Sequence, residues 1–359
     1  MLDAVIRGGS IVDGSGRPPV TGDVGVRDGR IVSVGERIDE PARDEIDADG
    51  CIVTPGWVDV HTHYDGQVTW DDALEPSASN GVTSVVMGNC GVGFAPVRSG
   101  DVDALIDLME GVEDIPGAAL HVGMPWGRWE TFGDYLDLLS EREYAIDIGT
   151  QLAHGALRFY VMGERGAANE DATADDLAEM SRLTQEALEA GALGLSTSRT
   201  IGHRSKSGRP VPGTFAATDE LLALAEGMKA AGSGVFEAIV AGTIGPLPGL
   251  GGERATPIEE VPLLTAVSKA SGRPVTFTVA QLFDDPDHWR KVVDAAAVAN
   301  SEGARLHPQI IPRSVTLMTN LDTYHLFWGR PTYDKIASLP LAQRVAEMRR
   351  TEVRDAILS

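Results

Sequence analysis

Cysteine is nearly absent. Only Cys51 and Cys90 occur in 359 residues, too few for a disulfide framework, which points to a reducing compartment and a cytoplasmic location. Positive charge is also scarce: 30 Lys and Arg face 53 Asp and Glu, a formal charge of -23. Such a surface repels polyanions, so nucleic acid and anionic membranes are excluded as favoured partners. No uninterrupted apolar run is long enough to span a bilayer, and the start, Met1-Leu2-Asp3-Ala4-Val5-Ile6-Arg7, has neither the basic region nor the apolar core of a secretory leader. Short repeats and low-complexity tracts are missing too, apart from the Gly- and Pro-rich stretch Gly242 to Gly252, which reads as a loop.

What is present follows two grammars. From Leu2 to about Ala48, short strands alternate with glycine turns: Ala4 to Ile6, Ser10 to Val12, Asp23 to Val26 and Arg30 to Val34. Asp28-Gly29 between the last two is a hairpin signal, so a small antiparallel β unit is predicted. Beyond Pro55, apolar strand-like runs alternate with helical stretches. The runs are Ile52 to Val60, Val82 to Met87, Ala145 to Leu152, Ala192 to Ser196, Gly234 to Val240, Pro274 to Val279 and Ala304 to Ile311. Helical spacing of apolar residues marks Asp101 to Met109, Thr173 to Ala190, Thr218 to Ala231 and Trp289 to Ser301, with Thr173 and Thr218 as N-cap signals. This alternation predicts an α/β fold, a (β/α) TIM-like barrel with seven of its eight strands in this chain. The predicted division is 1–54 for a small N-terminal β domain, 55–311 for barrel strands one to seven, and 312–359 for a segment after strand seven. In that last segment Leu341 to Leu358 reads as an amphipathic helix.

His61 and His63 carry the chemistry. Cys51 to Val60 is apolar and β-branched, so it reads as a buried parallel strand leading into the pair. Side chains two apart on a strand share a side, so both imidazoles face one point at the strand's C-terminal end. Two neutral imidazoles so placed suit a metal ion, zinc above all, which accepts nitrogen, sulfur and carboxylate donors. Active sites of barrels gather at these strand ends. Strand two ends near Cys90, whose thiolate suits zinc, though a lone cysteine reads first as a small buried hydrophobe; strand three ends at His154, which reads first as a core histidine, with support of the site as the alternative. Strand four ends in Ser196-Thr197-Ser198-Arg199, followed by a basic loop with His203 and Arg204. Strands six and seven end in Gln281 and Gln309, hydrogen-bonding groups fit to orient a substrate amide.

Ile6-Arg7-Gly8-Gly9-Ser10-Ile11-Val12-Asp13-Gly14, Asp28-Gly29-Arg30-Ile31, and Thr54-Pro55-Gly56 leading to His61-Thr62-His63 resemble the amidohydrolase superfamily. Within it, Gly88-Asn89-Cys90-Gly91 and Gly191-Ala192-Leu193-Gly194-Leu195-Ser196-Thr197 are similar to N-acyl-D-amino-acid deacylases. The resemblance covers nearly the whole chain. It implies a zinc-dependent barrel, a small β-sandwich built from both chain ends, and hydrolysis of the linear amide of an N-acyl-D-amino acid to a carboxylate and a free D-amino acid. It implies a metal-ligand role for Cys90 beside His61 and His63. It also implies that the substrate carries a free carboxylate, for which Arg199 and Arg204 are candidates, with His203 as a further candidate near the metal. An insertion after strand seven covers the pocket in that family, which would bring His325 and Trp328 toward the acyl group.

Three departures from the family pattern stand out. The strand-eight aspartate that binds metal and moves the proton has no counterpart before Ser359. Strands five and six, Val235-Phe236-Glu237-Ala238-Ile239 and Val275-Thr276-Phe277-Thr278-Val279, lack the family's two further histidines, so one zinc ion is expected rather than two. Glu237 shares a strand face with Ile239, where one such histidine would fall, and is a candidate metal ligand or acid. The open barrel edge predicts self-association or a complementing C-terminal segment. Two other readings stay open: a cyclic amidase of the dihydropyrimidinase or dihydroorotase kind, and a catalytically dead barrel serving as a binding or assembly module.

Overall fold

A computed structural model describes residues 1–113, 115–205, 207–312, 321, 325 and 327–359. The chain divides into two units, Met1–Asp59 with Glu75–Ser84, and Val60–Leu74 with Val85–Ser359.

In the first unit β1 (Leu2–Ile11) lies inside a sheet with β2 (Val20–Arg27), β3 (Arg30–Gly35), β4 (Ala42–Asp47) and β5 (Ile52–Val53), in the order β3-β2-β1-β4 with β5 also on β1. β1, β2 and β3 pair antiparallel, the last two through a turn in which Asp28 and Gly29 both have positive φ (51° and 68°), the twist a two-residue hairpin needs. β4 and β5 join β1 in parallel, which corrects the expectation of a purely antiparallel unit. The two short strands expected at Ala4 to Ile6 and Ser10 to Val12 are one, with a register slip between Ile6 and Gly9. A bulge absorbs the extra residue there, and Gly8 tolerates its φ of 67°. Leu2, Val5 and Ile38 form a small core. Beside it the buried Asp23 accepts from Ile38 N (3.0 Å), Gly8 N (2.9 Å) and Arg7 Nη1 (3.1 Å), which hold its carboxyl below the usual range.

The run Cys51 to Val60 does not form one buried strand. It breaks at Thr54-Pro55-Gly56 into β5 and β6 (Trp57–Asp59), because proline supplies no ladder donor. β6 is an edge strand in the order β6-β7-β8, and Trp57 and Val58 are 58% and 60% exposed.

The chain passes between the units within β7 (Val82–Met87). The third run splits at Gln151 into β8 (Asp147–Thr150) and β9 (Leu152–Ala153). There Gln151 N donates to Met87 O (2.9 Å), while Thr150 O accepts from Leu193 N (2.9 Å), so this strand hands over from one neighbour to the next. β9, β10 (Gly194–Ser198), β11 (Val235–Ile239), β12 (Val275–Thr278) and β13 (Leu306–Gln309) follow in chain order, every pair parallel. Helices between successive strands make this the wall of a wound α/β fold. Leu195, Phe236, Val275, Phe277 and Leu306 fill its buried layer.

Helix Ala174–Ala190 starts at the Thr173 capping box as expected. Helix Thr218–Ala231 does not start as expected: Thr218 is already helical and Ala217 occupies the cap position without a side-chain bond. Helix Pro257–Ser271 begins at a Thr256 capping box and was hidden by its pattern, since Glu260, Ser268 and Ser271 are buried along with Val261, Leu264 and Val267. Near the end, Leu341–Met348 and Thr351–Leu358 are two helices instead of one. Of the expected covering segment, 313–320, 322–324 and 326 lie outside the described residues. His325 is buried, its Nε2 2.8 Å from Tyr333 Oη, and Trp328 is partly exposed. No helix among the described residues is long and apolar enough to cross a membrane.

Candidate metal centre

His61 and His63 fall just beyond β6, where the chain bends at Val60 and His61, and the residue between them is pinned. Thr62 N donates to Val86 O (3.0 Å) and Thr62 Oγ1 to the same oxygen (2.8 Å), which turns Thr62 toward β7 and both imidazoles to the other side. The two rings lie 5.5 Å apart between centroids. Between them sits Cys90: its Sγ is 3.2 Å from His61 Nε2 and 3.4 Å from His63 Nε2. Donors bound tetrahedrally to zinc at ordinary N and S bond lengths stand about 3.5 Å apart, so this spacing matches a shared ion. The donor atoms of His61, His63 and Cys90 lie within 4.8 Å of one another.

Cys90 reaches this point through a left-handed turn. Gly88, Cys90 and Gly91 have φ of 77°, 59° and 67°, and a non-glycine residue holds such a conformation only when its surroundings impose it. Those surroundings are specific. Fully buried Asn89 donates to Thr62 O (3.0 Å) and Val86 O (2.9 Å) and accepts from Gln151 Nε2 (2.7 Å). Gly91 N donates to Ser196 Oγ (2.9 Å), Ser196 Oγ donates to Gly88 O, and Cys90 N donates to Glu237 Oε2 (3.1 Å). A Cβ on Gly88 would lie 2.2 Å from the carbonyl oxygen of Gln151, so only glycine fits. The sequence names Asn89 and Ser196 only as members of motifs, with no role, and does not point to Gln151. For Asn89 the available signal is an amide side chain between Gly88 and a candidate ligand.

Glu237 stands outside the donor group. It is 1% exposed on β11, with Oε1 3.8 Å from His61 Nδ1 and without a hydrogen-bond partner among the described residues. Burial pushes its carboxyl up to about 8, against the opposing pull of Cys90 N–H and of His63. His203 lies near both metal-site rings and bonds Ser198 Oγ through Nδ1 (2.9 Å); burial, then the charges of His63 and His61, lower its pKa to about 4.

Of the remaining expected site residues, Arg199, Arg204 and His154 are bonded within the protein. Arg199 is buried in an ion pair with Glu260 and donates to Ala216 O (3.0 Å), which leaves its guanidinium committed to the protein. Arg204 is tied to Gly208 O (2.7 Å) and Leu250 O (3.1 Å). His154 is the first residue of a helix, fully buried, with Nδ1 2.9 Å from Thr197 Oγ1 and Nε2 2.9 Å from Glu220 Oε1. Gln281 is exposed and donates to Pro286 O (3.2 Å), and Gln309 is half-buried on β13.

The description "Amidohydrolase family" fits residues 44–358 by its family model. A D-aminoacylase of Alcaligenes xylosoxydans xylosoxydans is 36% identical over 196 residues, which are 55% of this chain and 37% of that protein. An N-acyl-D-aspartate deacylase of the same organism is 33% identical over 234 residues, 65% of this chain and 42% of that protein. The chain thus spans about two fifths of the length of these curated relatives. The crystal structure of an N-acyl-D-glutamate deacylase from Bordetella bronchiseptica, complexed with zinc and a phosphonate mimic of the tetrahedral intermediate, superposes with a TM-score of 0.64 at 28% identity, over 87% of this chain and 59% of that one.

Proposed function

The chain belongs to the amidohydrolase family, and from that premise we propose that it carries the metal-binding part of a hydrolase cleaving the linear amide of an N-acyl-D-amino acid to a carboxylate and a free D-amino acid. The observation that carries this reading is the convergence of His61, His63 and Cys90. The deacylase relatives support the substrate class. Zinc is the proposed ion, since two imidazoles and a thiolate are its preferred donors. Bound there, a divalent metal supplies an acidified water and a polarised carbonyl.

This chain's residues do the holding. His61 and His63 offer Nε2, Cys90 offers its sulfur as thiolate, and Asn89 fixes both the turn and the intervening Thr62. Among the described residues no carboxylate joins the donor group. Strand β10 ends in serine and threonine without lysine, which weighs against the cyclic amidase.

The test is a pair of measurements on the full-length protein: zinc content after dialysis, and release of free amino acid from N-acetyl-D-amino acids beside the L forms, dihydrouracil and hydantoin. Bound zinc with turnover of the D-acyl compounds supports the proposal. Turnover of the cyclic amides alone, or zinc-free protein, overturns it.

A further inference from the structure

Glu237 touches two members of the donor group at once without belonging to it. Its Oε2 accepts the Cys90 N–H (3.1 Å), and its Oε1 faces His61 Nδ1 across 3.8 Å. In register on either side stand Ser196 of β10 and Thr276 of β12, and the first of these also holds the cysteine turn, through Gly91 N (2.9 Å). The Oε1 atom is buried and accepts no hydrogen bond among the described residues. Buried carboxylate oxygens are normally paired, so Oε1 is set for a donor, and His61 is the ring it faces.

The ring's other face decides what that donor is. His61 turns Nε2 toward Cys90 Sγ (3.2 Å) and His63 does the same from the opposite side (3.4 Å). An imidazole that gives the Nε2 lone pair to a metal carries its proton on Nδ1, and ligand histidines commonly donate that proton to a carboxylate, which fixes tautomer and ring orientation. We infer that Glu237 is a positioning residue that clamps His61 and the Cys90 turn together, so that ring and sulfur are preset for the ion. This rests on the metal-centre reading above. Direct ligation by Glu237 is disfavoured because its oxygens stand outside the cluster of mutually close donors.

The experiment is a titration of metal-free full-length protein with cobalt(II), comparing wild type with Glu237→Gln, which keeps size and one oxygen for Cys90 N–H but replaces the carboxyl oxygen facing His61 with an amide nitrogen that cannot accept a proton. Affinity should fall about 10- to 100-fold, with unchanged stoichiometry and an unchanged thiolate-to-cobalt spectrum. Equal affinity overturns the inference, and a changed ligand-field spectrum overturns it in favour of direct ligation. If wild type itself takes up neither cobalt nor zinc, the metal-centre reading has failed, a distinct result that removes the inference with it. Should the variant fail to fold, ¹⁵N-histidine spectra of zinc-loaded wild type decide instead. The chain has 8 histidines, and His61→Asn identifies the signal. A proton on Nδ1 supports the clamp, and one on Nε2 overturns it.

Discussion

The Nε2 of His61 lies 3.2 Å from the sulfur of Cys90, although 29 positions separate them in the chain. One member comes from the bend after β6 and the other from a left-handed turn after β7, so the contact exists only when those two segments are in register. Removing the sulfur should therefore remove the ion without unfolding the protein. For Cys90→Ala, zinc affinity is expected to drop by more than about 100-fold, beyond the loss typical of an outer partner. Elemental analysis of matched, folded samples after dialysis reports it, and zinc retained at the wild-type level contradicts the three-donor site.

The glycines around that cysteine separate two costs that are usually confounded. Gly50 and Gly88 have nearly the same φ, 74° and 77°, yet a Cβ at Gly50 meets nothing within 4 Å, whereas at Gly88 it meets the Gln151 carbonyl oxygen at 2.2 Å. Gly50→Ala is expected to lose only the left-handed penalty, about 1 to 2 kcal/mol. Gly88→Ala carries a backbone clash as well and should lose at least about 2 kcal/mol more. Urea denaturation of both variants tests this, and equal losses would mean that the turn relaxes freely.

Much of this framework was legible beforehand. The run Val82 to Met87 is a strand with those same limits, and Thr173 starts its helix because cap chemistry is local. The convergence of His61, His63 and Cys90 was expected too, the third from the family resemblance of its segment, although the strand meant to align the two imidazoles ends at Asp59 and a bend brings them in. Partners distant in sequence were not. Arg199 reads as a free cation because Glu260 is 61 residues away, and although His154 reads first as a core histidine, its partner Glu220, 66 residues away, is invisible in the sequence. β6 reads as core because an apolar run cannot announce that it borders a sheet.

The buried cluster of His154, Arg158 and Glu220 should leave a mark on acid stability. Burial alone would raise the Glu220 carboxyl, but hydrogen bonds and charge from His154 and then Arg158 outweigh it and bring it to about 2 from 4.5. A depressed carboxyl stabilises the fold fully above its unfolded value, and that contribution is lost as pH falls through the folded one. Glu220→Gln should therefore cost about 3 to 5 kcal/mol near neutrality, as for a buried pair stripped of one partner. The gap from wild type should narrow between about pH 4.5 and 2, as Glu220 itself takes up a proton. Denaturation at a series of pH values checks the sign: a gap that widens on acidification would show that Glu220 is not the depressed group.

Arg199 offers the sharpest contrast between its sequence and its surroundings. In an acidic chain, an arginine at a strand end beside a metal site invites the role of holding a substrate carboxylate. In the fold Arg199 is 8% exposed, its guanidinium bonded through Nε and Nη2 to Glu260 and through Nη1 to Ala216 O. A cation so enclosed acts on stability. Arg199→Ala strands a buried carboxylate and is expected to cost about 3 to 5 kcal/mol. Arg199→Met combined with Glu260→Leu removes both charges and should recover most of that loss, since a buried pair and an apolar replacement of similar volume are often close in free energy. Chemical denaturation of the single and double variants gives the coupling. Near-wild-type stability of Arg199→Ala, with a large rise in KM for an acyl amino acid, would return the residue to the substrate-binding role.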